Sequence, residues 1–458
     1  MANKDRYREL LEFTYGPTFD RLRWITPPVA SMASMLRGNL LNALDGLVEY
    51  ACNGSKLIYR DISPGCRHCT NRTWSCLFIN NKCNADCFFC PSEQNETELP
   101  SSVALYFKRP DSYASYCEKL GITGASISGG EPFLTPKRTL AYLKACKERM
   151  GSDFYFWLYT NGSHAKVELM QQLADAGLDE IRFNIAAWKY SLKMIRRAVG
   201  IVPNVTVEVP AIPEDVEIMK ETMLELADMG VNYLNLHQMR MTTYNCSHIV
   251  DRNYHLLEGP HPSALESELA ALELMLFAAE NELPLAVNYC SFIYRNRSQR
   301  AAVQGQAARF CVEPWEDITE TGLIRSIAID TDSEMLVKKC ADLDGEHCRY
   351  DSNEKKLFLG FELYKSLNEE LPVELAYFRA ALSEMPVNHA DASSRIIKLD
   401  GGKDIQPVRE KIFSANLESA DVQKYIKLVD NPEELVPEGI PWDEILFSEF
   451  TEHGLQEY

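Results

Sequence analysis

The stretch that decides the fold is Cys83-Asn-Ala-Asp-Cys87-Phe-Phe-Cys90-Pro91. Its cysteines are separated by three residues and then by two. Thiolates at this spacing can bind three irons of a [4Fe-4S] cluster and leave the fourth iron free for a small molecule. Closely spaced cysteines also form structural zinc sites, so the spacing alone leaves both kinds of metal centre open.

The sequence around this loop favours the iron-sulfur interpretation. Residues 73–80 have the composition of a short strand, and the cysteine loop follows directly. A second strand-like run ends in Gly129-Gly130-Glu131-Pro132. A Gly-Gly-Glu-Pro segment alone predicts only a turn, but its combination with the cysteine loop resembles the radical S-adenosylmethionine (SAM) superfamily.

The resemblance implies a cofactor chemistry. In this superfamily the amino and carboxylate groups of SAM bind the open iron, and an electron entering the sulfonium yields methionine and a 5'-deoxyadenosyl radical. The glycines then allow the backbone to approach the SAM amino group, Glu131 and backbone oxygens accept its hydrogen bonds, and Phe89 lies against the adenine. The residues implied to hold the cluster and SAM are Cys83, Cys87, Cys90, Phe89, Gly129, Gly130, Glu131 and Pro132.

A second group of cysteines lies upstream, in Gly65-Cys66-Arg-His-Cys69 and at Cys76. These thiols predict another metal centre. Its pairing with a radical SAM cluster favours an auxiliary iron-sulfur cluster, and a structural zinc is the alternative. A fourth ligand can come from His68, Cys52 or a distant thiol. The remaining candidates are Cys290, Cys311, Cys340 and Cys348.

Composition predicts an intracellular enzyme. The chain has 458 residues, 46% of them hydrophobic, and no apolar stretch long enough to cross a membrane. The amino terminus lacks the apolar core of a signal peptide, so we expect a cytoplasmic protein whose 14 cysteines remain reduced. A net charge of -19 disfavours nucleic acid as a partner. Radical SAM chemistry implies an electron donor such as flavodoxin or ferredoxin.

Residues 73–240 alternate strand-like apolar runs with helical periodicity, which predicts βα units around a parallel sheet. Six units can be counted, and the last strand covers 233–238. They correspond to the partial (β/α)6 TIM-like barrel that the resemblance implies. Thr135 and Pro136 predict the start of a helix that stops at Gly151, and a further helix is expected over 188–200.

The working residues of such barrels lie at the carboxyl ends of the strands. We therefore predict catalytic roles for Tyr159, Glu208 and His237. Asn161 lies in a Thr-Asn-Gly turn that resembles one near SAM in glycyl-radical activating enzymes, and Asn184 is placed to hydrogen-bond the ribose. For each residue, a hydrogen-bonded side chain without a chemical role is the alternative.

Four regions are predicted along the chain. They are an N-terminal helical segment with the upstream cysteines (1–72), the barrel (73–240), a capping helical segment with a basic stretch (241–311) and an α+β extension (312–458). Motifs between about residues 60 and 310 resemble radical SAM proteins related to pyruvate formate-lyase activating enzyme. The basic stretch 295–309 can bind a carboxylate or phosphate of the substrate, or form a helix with surface arginines.

Three functions follow from these patterns. The favoured one is hydrogen-atom abstraction from an unknown small-molecule or peptide substrate, assisted by the auxiliary cluster in oxidation or sulfur transfer. The second is installation of a glycyl radical on a partner protein. The third is a non-catalytic metal-binding scaffold, which the SAM-type segment at 129–132 disfavours.

Overall fold

The computed structural model describes residues 2–94, 98–259, 261–367, 369, 371–384, 395–432 and 441–458. It forms two compact units. The barrel unit comprises Met1–Asn296 and His453–Tyr458, and the second unit comprises Arg297–Glu452. This division differs from the predicted boundaries at 72, 240 and 311, because the segments before and after the six predicted βα units supply strands to the same sheet.

The barrel unit contains helices and strands in alternation. Its helices are α1 (Ala2–Tyr15), α2 (Pro27–Leu44), α3 (Pro64–Thr70), α4 (Pro110–Lys119), α5 (Pro136–Met150), α6 (Val167–Asp175), α7 (Ile195–Ala198), α8 (Val216–Asp228), α9 (Cys246–Ile249), α10 (Leu265–Glu280) and α11 (Phe292–Tyr294). Its strands are β1 (Glu49–Ala51), β2 (Lys56–Tyr59), β3 (Trp74–Phe78), β4 (Ser101–Ser102), β5 (Leu105–Tyr106), β6 (Gly124–Ser128), β7 (Tyr155–Thr160), β8 (Glu180–Phe183), β9 (Asn204–Pro210), β10 (Tyr233–His237), β11 (Leu256–Leu257), β12 (Ser263–Ala264) and β13 (Ala286–Cys290).

The main sheet has the order β1-β2-β13-β10-β9-β8-β7-β6-β3-β4-β5. The strands from β13 through β3 in this order are parallel, and β2 runs antiparallel to β13. The predicted partial (β/α) barrel is therefore confirmed. Two features were not predicted: β13 adds a parallel strand after the sixth, and a hairpin of β1 and β2 replaces part of the expected helical segment.

The two faces of the parallel strands differ in polarity. On β9 and β10, Val207, Val209, Leu234 and Leu236 are buried on one face. The opposite face of the same strands carries polar side chains, as it does on β8 and β13. Side chains alternate between the faces of a strand, so the polar residues of neighbouring strands face the barrel interior together. They are Glu180, Arg182, Thr206, Glu208, Asn235, His237, Asn288 and Cys290.

Helix α3 packs against the amino-terminal ends of these strands. The backbone N–H of Gly65 donates to Oε2 of Glu180 over 3.2 Å, and the Arg182 guanidinium donates to Oγ of Ser63 over 2.9 Å. A Cβ atom on residue 65 would lie 2.5 Å from the guanidinium, so only glycine allows this approach. The helix therefore brings the upstream cysteines to the barrel interior.

One of two predicted helices is present in the structure, and the other is interrupted. Helix α5 starts at Pro136 and ends at Met150, where Gly151 adopts a φ of 83°, as its sequence predicts. The helix expected over 188–200 is replaced by a 3-10 turn, Ile185–Trp188, and the short α7. Lys189 and Tyr190 take positive φ angles of 52° and 60° between them, and this backbone conformation interrupts a right-handed helix.

The second unit is built on an antiparallel sheet. Its strands are β14 (Glu316–Ile318), β15 (Ile324–Asp330), β16 (Cys348–Asp351), β17 (Lys356–Leu359), β18 (Val373–Glu384), β19 (Ile397–Leu399) and β20 (Lys403–Leu417). Its helices are α12 (Arg300–Ala308), α13 (Glu334–Asp344), α14 (Phe361–Ser366), α15 (Ser419–Asp430) and α16 (Trp442–Glu449). Leu357, Leu375, Tyr377 and Val422 belong to its core. This composition matches the α+β character expected of the extension.

None of the helices in the described ranges is both long enough and apolar enough to span a lipid bilayer.

Candidate active site

The cysteine loop follows β3 and is shaped by backbone hydrogen bonds. The N–H of Cys83 donates to the carbonyl of Gln94 over 3.3 Å, and that of Cys90 donates to the carbonyl of Cys87 over 2.9 Å. Nitrogen donors also reach sulfur: the N–H of Ala85 lies 3.5 Å from Sγ of Cys83, and the Gln94 amide contacts Sγ of Cys90. Hydrogen bonds of this kind tune the sulfurs of a bound cluster. All three thiols are partly exposed, so a small molecule can reach them.

The three thiols influence one another electrostatically. Burial and, after it, the neighbouring Cys90, Cys83 and Asp86 raise the pKa of Cys87 to about 12. Such repulsion requires proximity, so the structure brings the predicted ligands together. A bound metal reverses this effect because its positive charge stabilises the deprotonated thiolates.

Gly130 allows the end of β6 to pack against the cysteine loop. Its φ is 70°, in the left-handed region that favours glycine. A Cβ atom at this position would lie 2.1 Å from the carbonyl oxygen of Lys82, the residue before the first ligand. The N–H of Glu131 donates to the same carbonyl over 2.7 Å. Gly129 is equally confined, since its Cβ would lie 2.5 Å from Cβ of Phe78. The double glycine thus fixes where the loop leaves β3.

Glu131 holds two loops together with its buried carboxylate. Oε1 accepts hydrogen bonds from the N–H of Phe133 and the hydroxyl of Thr160, both over 2.9 Å. Oε2 accepts the N–H of Asn161 over 2.7 Å. Burial raises the pKa of Glu131 to about 7, and these donors oppose the rise. These contacts position the ends of β6 and β7, and the contact of Glu131 with the SAM amino group stays a prediction.

Asn161 connects β7 to the cysteine loop. Its Nδ2 lies 3.5 Å from Sγ of Cys83 and donates to Oδ1 of Asn84 over 2.9 Å. Its Oδ1 accepts the N–H of Ser163 over 2.9 Å and the indole N–H of Trp188 over 3.3 Å. The predicted SAM-side residue therefore contacts a predicted cluster ligand directly.

Two other predicted SAM contacts lie near this loop. Asn184 follows β8, and its N–H donates to the carbonyl of Thr160 over 2.9 Å. Its Oδ1 is buried and has no hydrogen-bond partner among the described residues, as an acceptor for a ribose hydroxyl requires. The carbonyl of Phe89 accepts from Nδ2 of Asn245 over 3.1 Å, which anchors the loop beside the third cysteine. The SAM contacts of Asn184, Phe89 and Pro132 stay predictions.

A buried ionic network lies within the barrel. The Arg182 guanidinium donates to Glu180 over 2.7 Å and to Glu208 over 2.8 Å. It also donates to the hydroxyl of Tyr159 over 3.2 Å, and Asn235 donates to Glu208 over 3.1 Å. Burial raises the pKa of Glu208, but Arg182, His237, Arg295 and the Asn235 hydrogen bond together lower it below its usual range. Two of the predicted catalytic residues are thus bound to one arginine.

Cationic groups border the carboxyl ends of β10 and β13. Burial and the charge of Arg295 lower the pKa of His237 to about 3, so this imidazole is neutral near pH 7. Burial and Arg295 also lower the pKa of Arg240 to about 10, and Cys90 acts in the opposite direction. Within the described residues no carboxylate pairs with Arg240, and its buried Nε has no hydrogen-bond partner. The rim beside Cys90 therefore suits an anionic group.

The upstream cysteines do not all face the same surroundings. Cys66 receives a hydrogen bond from Nδ2 of Asn235 over 3.4 Å, and Sγ of Cys69 lies 3.1 Å from the hydroxyl of Tyr294. Cys76 lies on β3, where its neighbours include Ser126, Glu208, Arg182 and Cys69. Within the described ranges, no three Cys, His, Asp or Glu side chains are arranged to hold a single metal ion.

Sequence reasoning missed Arg182 and Lys56, which both lie inside the barrel. In each case the sequence contains a pattern that could have identified the residue. Arg182 stands in the strand Glu180-Ile-Arg-Phe, where alternation places both charged residues on the face opposite the apolar ones. Lys56 precedes an apolar run, Leu57-Ile-Tyr59, that was assigned to a helical segment. The pairing of β2 with β13 cannot be read from either segment alone.

The comparisons with known proteins agree with this geometry. Residues 77–232 match the Radical SAM superfamily. The Methanocaldococcus jannaschii protein named "Putative glycyl-radical enzyme activating enzyme MJ0021" is 26% identical over 327 residues, which cover 68% of this chain and 85% of that protein. A second protein of that organism, "Probable GTP 3',8-cyclase", is 29% identical over 114 residues, which cover 24% of this chain and 35% of that protein.

The matched segment begins on β3, contains the cysteine loop and the double glycine, and ends just before β10. It therefore includes the strand ends that carry most of the predicted cofactor contacts. A [4Fe-4S] cluster and SAM are the cofactors of this superfamily. Residues 77–232 thus form a Radical SAM superfamily domain, and most of the chain is similar to a protein named as a glycyl-radical enzyme activating enzyme.

Proposed function

We propose that the chain cleaves SAM reductively at a cluster bound by Cys83, Cys87 and Cys90, and abstracts a hydrogen atom from a substrate C–H bond. The proposal rests on the contacts that hold the cysteine loop against the ends of β6 and β7. Gly130, Glu131 and Asn161 make these contacts. A loop fixed at both strands holds a cluster in one position relative to the barrel interior.

A [4Fe-4S] cluster held by Cys83, Cys87 and Cys90 would, once reduced, supply one electron to the sulfonium of SAM. The products would be methionine and, after removal of a hydrogen atom from the substrate, 5'-deoxyadenosine. The residues of the chain position and shield these reactants. The electron comes from a small carrier such as flavodoxin or ferredoxin. Asn184, with its unpartnered Oδ1, fits the ribose, and Phe89 fits the adenine.

The positive charges at the rim of the barrel favour a substrate with an anionic group. Arg240 and Arg295 lie close enough to depress the pKa of Arg240, and an anion between them would relieve this repulsion. Tyr159 is the penultimate residue of β7, Glu208 lies two residues before the end of β9, and His237 ends β10. We propose that the substrate binds at this rim and that these three side chains orient it. A carboxylate or phosphate on a small molecule or peptide satisfies the charge.

The upstream thiols support a second metal centre that acts after hydrogen abstraction. An auxiliary iron-sulfur cluster can accept the electron of the substrate radical, which gives an oxidised product, or provide sulfur for insertion. Cys66 and Cys69 enter the barrel from α3, where their sulfurs contact Asn235 and Tyr294. A structural zinc at the same thiols is the alternative.

Activation of a glycyl-radical enzyme is the second candidate function. It is favoured by the name of the M. jannaschii relative, which aligns over 85% of its own length. In this reaction the hydrogen atom comes from a backbone glycine of a partner protein, so the product is a stable protein radical. Its characteristic electron paramagnetic resonance signal on a partner would select this function over small-molecule chemistry.

The experiment is reductive cleavage of SAM by the anaerobically reconstituted protein, with dithionite as reductant and 5'-deoxyadenosine as the measured product. We expect Cys87→Ala to abolish product formation, because two remaining thiolates cannot hold the open-iron cluster. Cys246→Ala is the matched control, since that thiol is also partly exposed but lies on α9, outside the loop. Equal product from wild type and Cys87→Ala would refute the proposal.

A further inference from the structure

Lys56 is a lysine buried inside the barrel unit, with 1% of its surface exposed. Its ammonium lies 4.5 Å from the centre of the Tyr294 ring, a cation-π contact. No carboxylate of the described residues forms an ion pair with it. Removing an ammonium from water costs several kcal/mol unless an anion compensates its charge, so the absence of such a carboxylate needs an explanation.

Four thiols lie near Lys56 in the fold, those of Cys290, Cys66, Cys69 and Cys52. They come from three separate elements. Cys52 lies in the turn of the β1–β2 hairpin, where its carbonyl accepts the N–H of Ser55 over 3.2 Å. Cys290 is the last residue of β13 and pairs directly opposite Lys56 across the antiparallel register.

The remaining two thiols come from α3. Cys66 and Cys69 are three positions apart, which places them on one face of a helix. Sγ of Cys69 lies 3.1 Å from the hydroxyl of Tyr294, the residue whose ring contacts the lysine. The thiols of Cys290 and Cys52 also lie near that hydroxyl.

We propose that Cys52, Cys66, Cys69 and Cys290 bind a second iron-sulfur cluster and that Lys56 compensates its negative charge. The inference rests on the second metal centre of the proposed function and specifies its ligands. It omits Cys76 from the predicted set and selects Cys52 and Cys290 from the candidates for further ligands. We name this group of four cysteines with Lys56 the thiol pocket.

The chemistry of the thiol pocket fits a cluster. Four thiolates around an iron-sulfur core carry a net negative charge, which a buried ammonium offsets. The amide groups of Asn235 and Asn288 lie 3.4 and 3.9 Å from Sγ of Cys66, as donors that tune a cluster sulfur. Cys290 ends its strand at the carboxyl edge of the sheet, the edge that carries the proposed substrate residues, so a cluster there can exchange an electron with the substrate. Zinc cannot, because it has no redox chemistry.

Cys76 has a different environment. Its thiol lies near Ser126, Glu208, Arg182 and Cys69. Cys76 lies on β3, whereas Lys56 and Cys290 face each other on the paired strands β2 and β13. Cys290 and Cys76 therefore supply a discriminating pair of variants, because only Cys290 is paired with Lys56.

The test measures iron, zinc and sulfide, with Mössbauer spectra, in anaerobically purified full-length protein that already carries Cys83→Ala, Cys87→Ala and Cys90→Ala. In this background any cluster belongs to the second centre. We expect added Cys290→Ala or Cys52→Ala to remove the remaining iron and added Cys76→Ala to retain it. Iron lost on Cys76→Ala but kept on Cys290→Ala overturns the ligand set, and stoichiometric zinc in place of iron overturns the cluster.

Two further measurements guard against a folding defect and against confusion with the first cluster. Cys290→Ala in the otherwise wild-type chain should keep the iron of the first cluster and the far-ultraviolet circular dichroism of the wild type, so that loss of the second cluster is not a folding defect. Lys56→Met should keep the iron and lower the reduction potential of the second cluster, because a nearby positive charge favours the reduced form. An unchanged potential overturns the role of Lys56.

Discussion

The two cysteine groups of the barrel unit are built in opposite ways. In the cysteine loop, the three ligands lie within eight residues, and backbone and amide N–H groups surround their sulfurs. In the thiol pocket, the four thiols extend from residue 52 to residue 290 and meet around a buried ammonium. The loop is defined by local spacing, whereas the thiol pocket is defined by strand pairing. Each can therefore be disrupted separately.

The largest effect that separates the two groups is expected from Gly130→Ala. The added Cβ meets the carbonyl of Lys82 at 2.1 Å and must displace the loop backbone. SAM cleavage should fall at least about 100-fold, roughly 2.7 kcal/mol in the barrier. Initial rates of 5'-deoxyadenosine formation measure it, and iron at the thiol pocket should remain.

Gly151→Ala is the matched control for this prediction. Gly151 also has a positive φ, of 83°, but nothing lies within 4 Å of its added Cβ. It should cost roughly 1–2 kcal/mol of stability from backbone strain and leave SAM cleavage close to wild type. Equal losses in both variants would show that the close approach to Lys82 does not matter.

A second effect is expected from Glu131→Ala. The change leaves the N–H groups of Phe133 and Asn161 and the hydroxyl of Thr160 without their acceptor. Each unsatisfied donor costs about 1–3 kcal/mol, so the melting temperature and SAM cleavage should both fall. Glu131→Gln keeps one acceptor oxygen and should recover part of both losses. Full activity in the alanine variant would contradict the positioning role of Glu131.

A smaller effect compares the amide donors of the two groups. Asn161 lies 3.5 Å from Sγ of Cys83, and Asn235 lies 3.4 Å from Sγ of Cys66. Asn161→Ala should shift the reduction potential of the SAM cluster only, and Asn235→Ala that of the second cluster only, because hydrogen bonds to sulfur tune a cluster locally. Redox titrations followed by electron paramagnetic resonance measure both. A shift of the same cluster by both variants would show that the two groups are one centre.

The smallest effect is expected from Cys340→Ala in the second unit. This thiol is fully buried in that unit's apolar core, with neighbours such as Leu336 and Leu357. The substitution should cost about 1 kcal/mol of stability and leave the iron content unchanged. A loss of iron would return Cys340 to the candidate ligands.

The same contrast explains what could be predicted from the sequence. The spacing of Cys83, Cys87 and Cys90, the double glycine at 129–130 and the alternation of strands and helices are local patterns, and the loop and the partial barrel were read from them. Lys56 and Cys290 become neighbours only through the register of β2 with β13, which no periodicity reveals. Their proximity had to come from the structure.

The Arg182 network illustrates a second limit. The sequence placed Tyr159, Glu208 and His237 at strand ends, but it did not show that one guanidinium joins Tyr159 to Glu208. Charged residues in short buried strands are stable only when tertiary partners compensate them, and those partners come from other strands. Glu131 shows the same limit, since its motif suggested contact with SAM and its donors come from β7 and the 3-10 turn that follows β6.

The central claim is that the chain holds two separate iron-sulfur centres. The most direct test is the iron and sulfide content, with Mössbauer spectra, of wild type beside the variant in which Cys83, Cys87 and Cys90 are all alanine. We predict that the variant loses about four iron atoms and all SAM cleavage and retains a second cluster in the thiol pocket. A variant without any iron-sulfur cluster would contradict the account.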